Sequence, residues 1–180
     1  MQTIAGRKSK QGFSLLETMM AIVVLSFGVL TLAGVLATGL AFMGMSQADF
    51  IAQQKASEAV ESIFTARDSS ALTWAQILNV PDGGIFTAGP ISLFQPGPDG
   101  IVGTLDDVAP IDCIVGPGPD GILGTADDTC APLQGYTRTI AITTNVNGDT
   151  SLRQITVTIN YPAGKFVRQY QLITFISQSF

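Results

Sequence analysis

The chain reads as an α+β protein. A long N-terminal α-helix packs its second half on a C-terminal antiparallel β-sheet, and a Gly/Pro/Asp-rich loop insertion interrupts that sheet. Three observations predict this. Phe13 to Met45 is apolar, with Glu17 as its single charge. The residues that follow keep a helical spacing of apolar positions. The last third alternates apolar and polar residues with a period of two, the signature of half-buried strands.

The first element is a basic leader, residues 1–12, with Arg7, Lys8 and Lys10 just before the apolar run. That charge bias holds the N-terminus on the cytoplasmic side of a membrane and puts the rest beyond it. As a helix, residues 13–46 would span about 50 Å at 1.5 Å per residue, more than a hydrocarbon core of about 30 Å. The run is also too long for the apolar region of a signal peptide, and no Ala-x-Ala site follows it. A plain single-pass anchor would explain neither the surplus length nor Glu17. A carboxylate costs about 2.5–3.5 kcal/mol near the centre of a membrane helix and less toward its ends.

Lys10-Gln11-Gly12-Phe13-Ser14-Leu15-Leu16-Glu17 resembles the class III signal of type IV prepilins and pseudopilins. The resemblance implies that a membrane peptidase cuts after Gly12 and methylates the new N-terminus at Phe13. The retained helix then becomes the packing core of a filament. It implies a role for Glu17 as well, as the fifth residue of the mature chain, facing the N-terminal amine of a neighbouring subunit. An isolated buried charge is costly and a paired one recovers much of that cost, so such a pair would favour the assembled state and set its register. Ala21 to Gly34 is similar to the helix of the minor pilins known as pilus-modification proteins. Where major pilins often carry a proline, this chain has Gly34, with Gly28, Gly39 and Gly44 nearby. Each glycine disfavours helix by about 1 kcal/mol relative to alanine. Close helix packing and local unwinding on assembly are both compatible with them. The specific resemblance ends near Leu40.

Residues 47–180 are expected to form the globular head. Ala52, Ala56, Ala59, Ile63 and Val60, Phe64 lie on a helical face that packs on the sheet, with Gln53, Lys55, Glu58 and Glu61 largely off it. Asp68-Ser69-Ser70 ends the helix. A short helix is expected from Ala71 to Leu78, stopped by Pro81 and Asp82-Gly83-Gly84, with Trp74 buried between helix and sheet. Ile85 to Phe94 is a weak strand interrupted by Gly89-Pro90. Tyr136 to Thr144 and Ile155 to Tyr161 are strands flanking an Asn147-Gly148 hairpin turn. Phe166 to Ile176 is another, after a Pro162-Ala163-Gly164 turn.

The insertion, residues 95–132, contains a repeat. Pro96 to Asp107 recurs as Pro117 to Asp128 with ten of twelve positions identical. Two copies rich in Gly and Pro do not make a solenoid. Each clusters hard oxygen donors: Asp99, Thr104, Asp106 and Asp107 in the first, Asp120, Thr125, Asp127 and Asp128 in the second. Such donors suit Ca2+, which accepts six to eight oxygens in a flexible shell, better than Mg2+, which demands strict octahedral geometry. The loops resemble loosely the Asp/Gly-rich calcium loops of secreted proteins and lack the EF-hand pattern. Ordinary solvated Pro-Asp-Gly turns fit the same residues. Cys113 and Cys130 bracket the second copy. An even count in an exported chain predicts a disulfide between them, worth roughly 3 kcal/mol by loop closure.

The 180 residues carry a net charge of −5. Removing the leader leaves six basic and fourteen acidic residues, a net of −8. That balance argues against direct nucleic-acid binding. There is no histidine, which removes His-activated nucleophiles and His-ligated metals, and the aspartates sit in Gly/Pro loops rather than as an acid/base pair in an apolar pocket. The sequence therefore predicts a structural subunit and no enzyme. The reading favoured is a minor pilin, with a type II secretion pseudopilin as alternative. A single-pass membrane-anchored calcium-dependent binding module is the alternative from another class. The pilin reading implies other pilin subunits and the prepilin peptidase/methyltransferase as partners. It places the chain in the bacterial inner membrane, N-terminus cytoplasmic and head periplasmic, and then in an extracellular pilus.

Overall fold

The computed structural model describes residues 12 and 14–178. Its first element, α1, is an α-helix over Leu15–Asp68 that continues unbroken through Gly28, Gly34, Gly39 and Gly44. The chain divides into two compact units, with the boundary between Met43 and Gly44.

In the first unit every residue of α1 from Leu15 onward is exposed, large aliphatics and Phe27 included. The Thr18, Ser26, Thr31 and Thr38 hydroxyls bond within the helix. Thr18 Oγ1 donates to the Leu15 carbonyl (2.8 Å), Ser26 Oγ to Ile22 (2.7 Å), Thr31 Oγ1 to Gly28 (2.9 Å) and Thr38 Oγ1 to Val35 (2.9 Å). Hydroxyls bonded back to the preceding turn are what a helix tolerates inside hydrocarbon. Among the described residues α1 is the helix long and apolar enough to cross a membrane.

The second unit has the expected α+β layers. Its sheet contains β1 (Ile91–Ser92), β6 (Thr137–Val146), β7 (Asp149–Ala163) and β8 (Phe166–Ser177), in the order β1-β6-β7-β8, with every pairing antiparallel. Period-two alternation turns Ile155, Val157 and Ile159 inward, all fully buried. The facing stripe of α1 is Ala48, Ala52, Ala56, Ala59, Ile63 and Ala66. Alanines at most of these positions let the helix approach closely, and Ile63 is fully buried beside them.

Several connections differ from expectation. The turn between β6 and β7 is the predicted Asn147-Gly148, with φ of 53° and 86°, the left-handed pair that a tight hairpin requires. The bend between β7 and β8 falls at Gly164 (φ 65°), so Pro162 and Ala163 belong to β7 instead of to the turn. No α-helix forms over Ala71–Leu78. Two 3-10 turns, Trp74–Gln76 and Val80–Asp82, take its place. The backbone there is drawn out to serve the sheet: the Trp74 and Ile77 carbonyls both accept hydrogen bonds from Arg153. Trp74 is half-buried, with the Arg153 guanidinium 4.1 Å from its ring centre, so it is a cation platform as much as a core residue.

The insertion is more ordered than a loop. β2 (Phe94–Gln95) pairs with β3 (Val108–Ile111) around the first repeat copy, and β4 (Cys113–Gly116) pairs with β5 (Thr129–Pro132) around the second. A Cys113–Cys130 disulfide ties the second hairpin. At its base, Asp112 receives Lys55 of α1 in an ion pair at 2.5 Å.

Candidate functional site

At the N-terminal end, Gly12 is exposed and has open space around it. Phe13, the expected methylation position, lies outside the described residues. Glu17 occupies the first turn of α1, where the partial positive charge of the helix end favours an acid. Its side chain is exposed and has no hydrogen-bond or ion-pair partner among the described residues. Between Gly12 and Asp49 it is the single ionisable residue. The hydroxyls of the run are satisfied locally, whereas this carboxylate has no such bond among the described residues. The four glycines of the run likewise leave open space where a Cβ would stand.

The two repeat copies close in the same way. In the first, Asp99 Oδ1 accepts from the Ile101 amide (2.8 Å), and Asp107 Oδ2 from the Gly103 amide (2.6 Å). Thr104 Oγ1 donates to Asp106 Oδ1 (2.5 Å). In the second, Asp120 Oδ1 accepts from Ile122 (2.8 Å), Asp128 Oδ2 from Gly124 (2.7 Å) and Asp127 Oδ1 from Thr125 Oγ1 (2.6 Å). Gly100 and Gly121, and Gly103 and Gly124, hold matching left-handed φ values between 70° and 91°. A Cβ on Gly97 would fall 2.3 Å from Asp106 Oδ2, and one on Gly118 would fall 2.1 Å from the Asp127 carbonyl oxygen. The repeat thus encodes a self-bonded turn in which aspartates staple the loop's own amides.

This arrangement brings Asp99, Thr104 and Asp106 together, and likewise Asp120, Thr125 and Asp127. Asp107 turns inward to the Arg138 guanidinium (3.3 Å), each side chain 1% exposed. Among the described residues no group of three or more acidic, His or Cys side chains is placed to hold a metal ion. The threonine hydroxyls hold the Asp106 and Asp127 carboxyls below their ordinary range.

Three residues that sequence reasoning passed over organise the head. Asn79, buried, donates to the Ile140 carbonyl (2.7 Å) and accepts from the Ile142 amide (2.9 Å), extending the β1 side of β6 with a side chain. Nothing in the sequence marks it. Arg138 and Arg153 are buried beneath the sheet, and here a signal exists. Both fall on the inward phase of the alternation, with Ile140 and Ile142 and with Ile155 and Val157.

Residues 7–33 match the prokaryotic N-terminal methylation motif. With the long apolar helix that follows, the match is consistent with a type IV prepilin-like protein. No curated protein and no solved structure matches the chain.

Proposed function

We propose that the chain is a minor pilin, a structural subunit of a type IV pilus. The observation that carries this reading is the methylation motif on a helix whose exposed apolar surface has one carboxylate, Glu17, without a partner among the described residues. Cleavage after Gly12 would create an amine at Phe13. A neighbouring subunit would bring that amine to Glu17, and helix–helix packing would cover the rest of the run. Before assembly the same helix would sit in the inner membrane with the head periplasmic. Mass spectrometry of the protein from cells with an active prepilin peptidase tests the reading. A chain beginning at methylated Phe13 is expected, and one still beginning at Met1 would refute it.

A pseudopilin of a type II secretion system shares the same N-terminal features. Localisation separates the two: the minor-pilin reading requires the chain in sheared surface filaments. Calcium at the repeat turns is a further proposal, resting on the oxygen donors of Asp120, Asp127 and Asp128 in the second copy and of Asp99 and Asp106 in the first, where Asp107 is taken up by Arg138. Calorimetry on the full chain in detergent decides it. Binding heat and a raised melting temperature would support calcium, and their absence would leave the aspartates as loop staples.

A further inference from the structure

The two repeat copies fold alike but are housed differently. Ile101 and Val102 of the first are buried, 3% and 2% exposed, in the core of the head. There the copy meets Ile140 of β6, whose Cδ1 leaves no room for a Cβ on Gly103, and Thr87, whose amide donates to the Gly103 carbonyl (2.8 Å). Its Asp107 is fully engaged: Oδ1 accepts from the Gly97 amide (3.3 Å), and Oδ2 meets Arg138 (3.3 Å). The equivalent residues of the second copy, Ile122 and Leu123, are 60% and 62% exposed. Asp128 Oδ2, the counterpart of the oxygen that meets Arg138, accepts from the Gly124 amide (2.7 Å) and has no cation paired with it among the described residues. From Pro117 to Cys130 the second copy has three acidic residues and no basic one. Among the described residues the head houses the turn of the first copy and leaves that of the second exposed.

We propose that the second copy is a docking element for another protein chain. That partner supplies what the first copy finds at home, an aliphatic recess for Ile122 and Leu123 and a guanidinium or ammonium placed for Asp128. The inference goes beyond the pilin reading, since any protein surface of this chemistry fits. The β4–β5 ladder and its disulfide present the turn already formed, so little ordering opposes binding.

Photo-crosslinking in the cells that make the protein tests this. p-Benzoylphenylalanine replaces Leu123, with a control at exposed Lys165 in the β7–β8 turn. An adduct to a protein is expected from position 123 and not from 165, mapping beside a lysine or arginine of the partner. Asp128→Asn or Ile122→Ser should weaken the interaction about tenfold or more, as loss of a desolvated charge or anchor does. Both variants should keep the melting temperature of the parent, while Asp107→Asn in the first copy should lower it. Crosslinking at 123 no stronger than at 165 would overturn the proposal. So would an adduct insensitive to both substitutions, or one mapped to a surface without a cation.

Discussion

Asp127 and Asp107 belong to the same repeat yet are held in opposite directions. For Asp127 the Thr125 hydroxyl is the main influence and keeps the carboxyl below 3.8. Such a group adds stability above its unfolded value and loses it as pH falls through the folded one. Thr125→Val should therefore return Asp127 to the ordinary range, seen as an upward shift of its carboxyl titration by NMR, and should remove some acid sensitivity below pH 3.8. Asp127 is exposed, so solvent screens the effect and the stability change is small. For Asp107, burial comes first and pushes the carboxyl up, against the Gly103 amide and the Arg138 charge. Burial likewise lowers Arg138, with Asp107 opposing it. The sign reverses: with a raised folded value, stability falls as pH rises from 3.8 toward that value. Removing one partner leaves the other charge buried and uncompensated, so Asp107→Asn should cost about 3–5 kcal/mol in chemical denaturation. Glu17 poses the same problem between molecules. Under the minor-pilin reading, Glu17→Ala should be cleaved normally but incorporated poorly into filaments, and normal incorporation would remove its registering role.

At the scale of elements, the β4–β5 hairpin is the clearest case of local stability. Its residues are mostly exposed, so a ladder and a disulfide hold it with little core beneath. Replacing both Cys113 and Cys130 by serine removes roughly 3 kcal/mol of loop-closure stabilisation. The loss should fall on the hairpin. Hydrogen exchange is expected to quicken across 113–132 and to stay unchanged in β6, β7 and β8; quickening throughout would show that the hairpin supports the whole sheet. What the sequence disclosed follows the same division. α1, β6, β7 and β8 are long and periodic, and the Asn147-Gly148 turn has its own backbone chemistry, so each was legible. The segment from Ala71 to Leu78 looked helical because its propensities are helical. Its carbonyls are instead recruited by Arg153 from 76 or more residues away, a demand that no local pattern contains. The repeat was legible as two copies of one turn. That one copy lies in the core and the other on the surface depends on Ile140 and Arg138, which only the folded chain brings to the first.

At the scale of the molecule, the core and the apolar run belong to different parts of the chain. Among the described residues every buried apolar residue lies between Ala48 and Ile176, inside the unit that begins at Gly44. The run before it buries nothing among the described residues and exposes leucine, valine, isoleucine and phenylalanine on all sides. A monomer in water does not keep so large an apolar surface uncovered. Under the pilin reading, lipid or other helices cover residues 15–43. A chain starting at Gly44 should therefore fold without the run. It is expected to be monomeric in sedimentation, to unfold in one cooperative transition, and to melt at the temperature of the full chain in detergent. It should also fail to enter filaments when produced beside the intact protein. A head that melts without cooperativity would show that the run contributes to the core after all, and a head that assembles would show that the filament contacts lie elsewhere than on the helix.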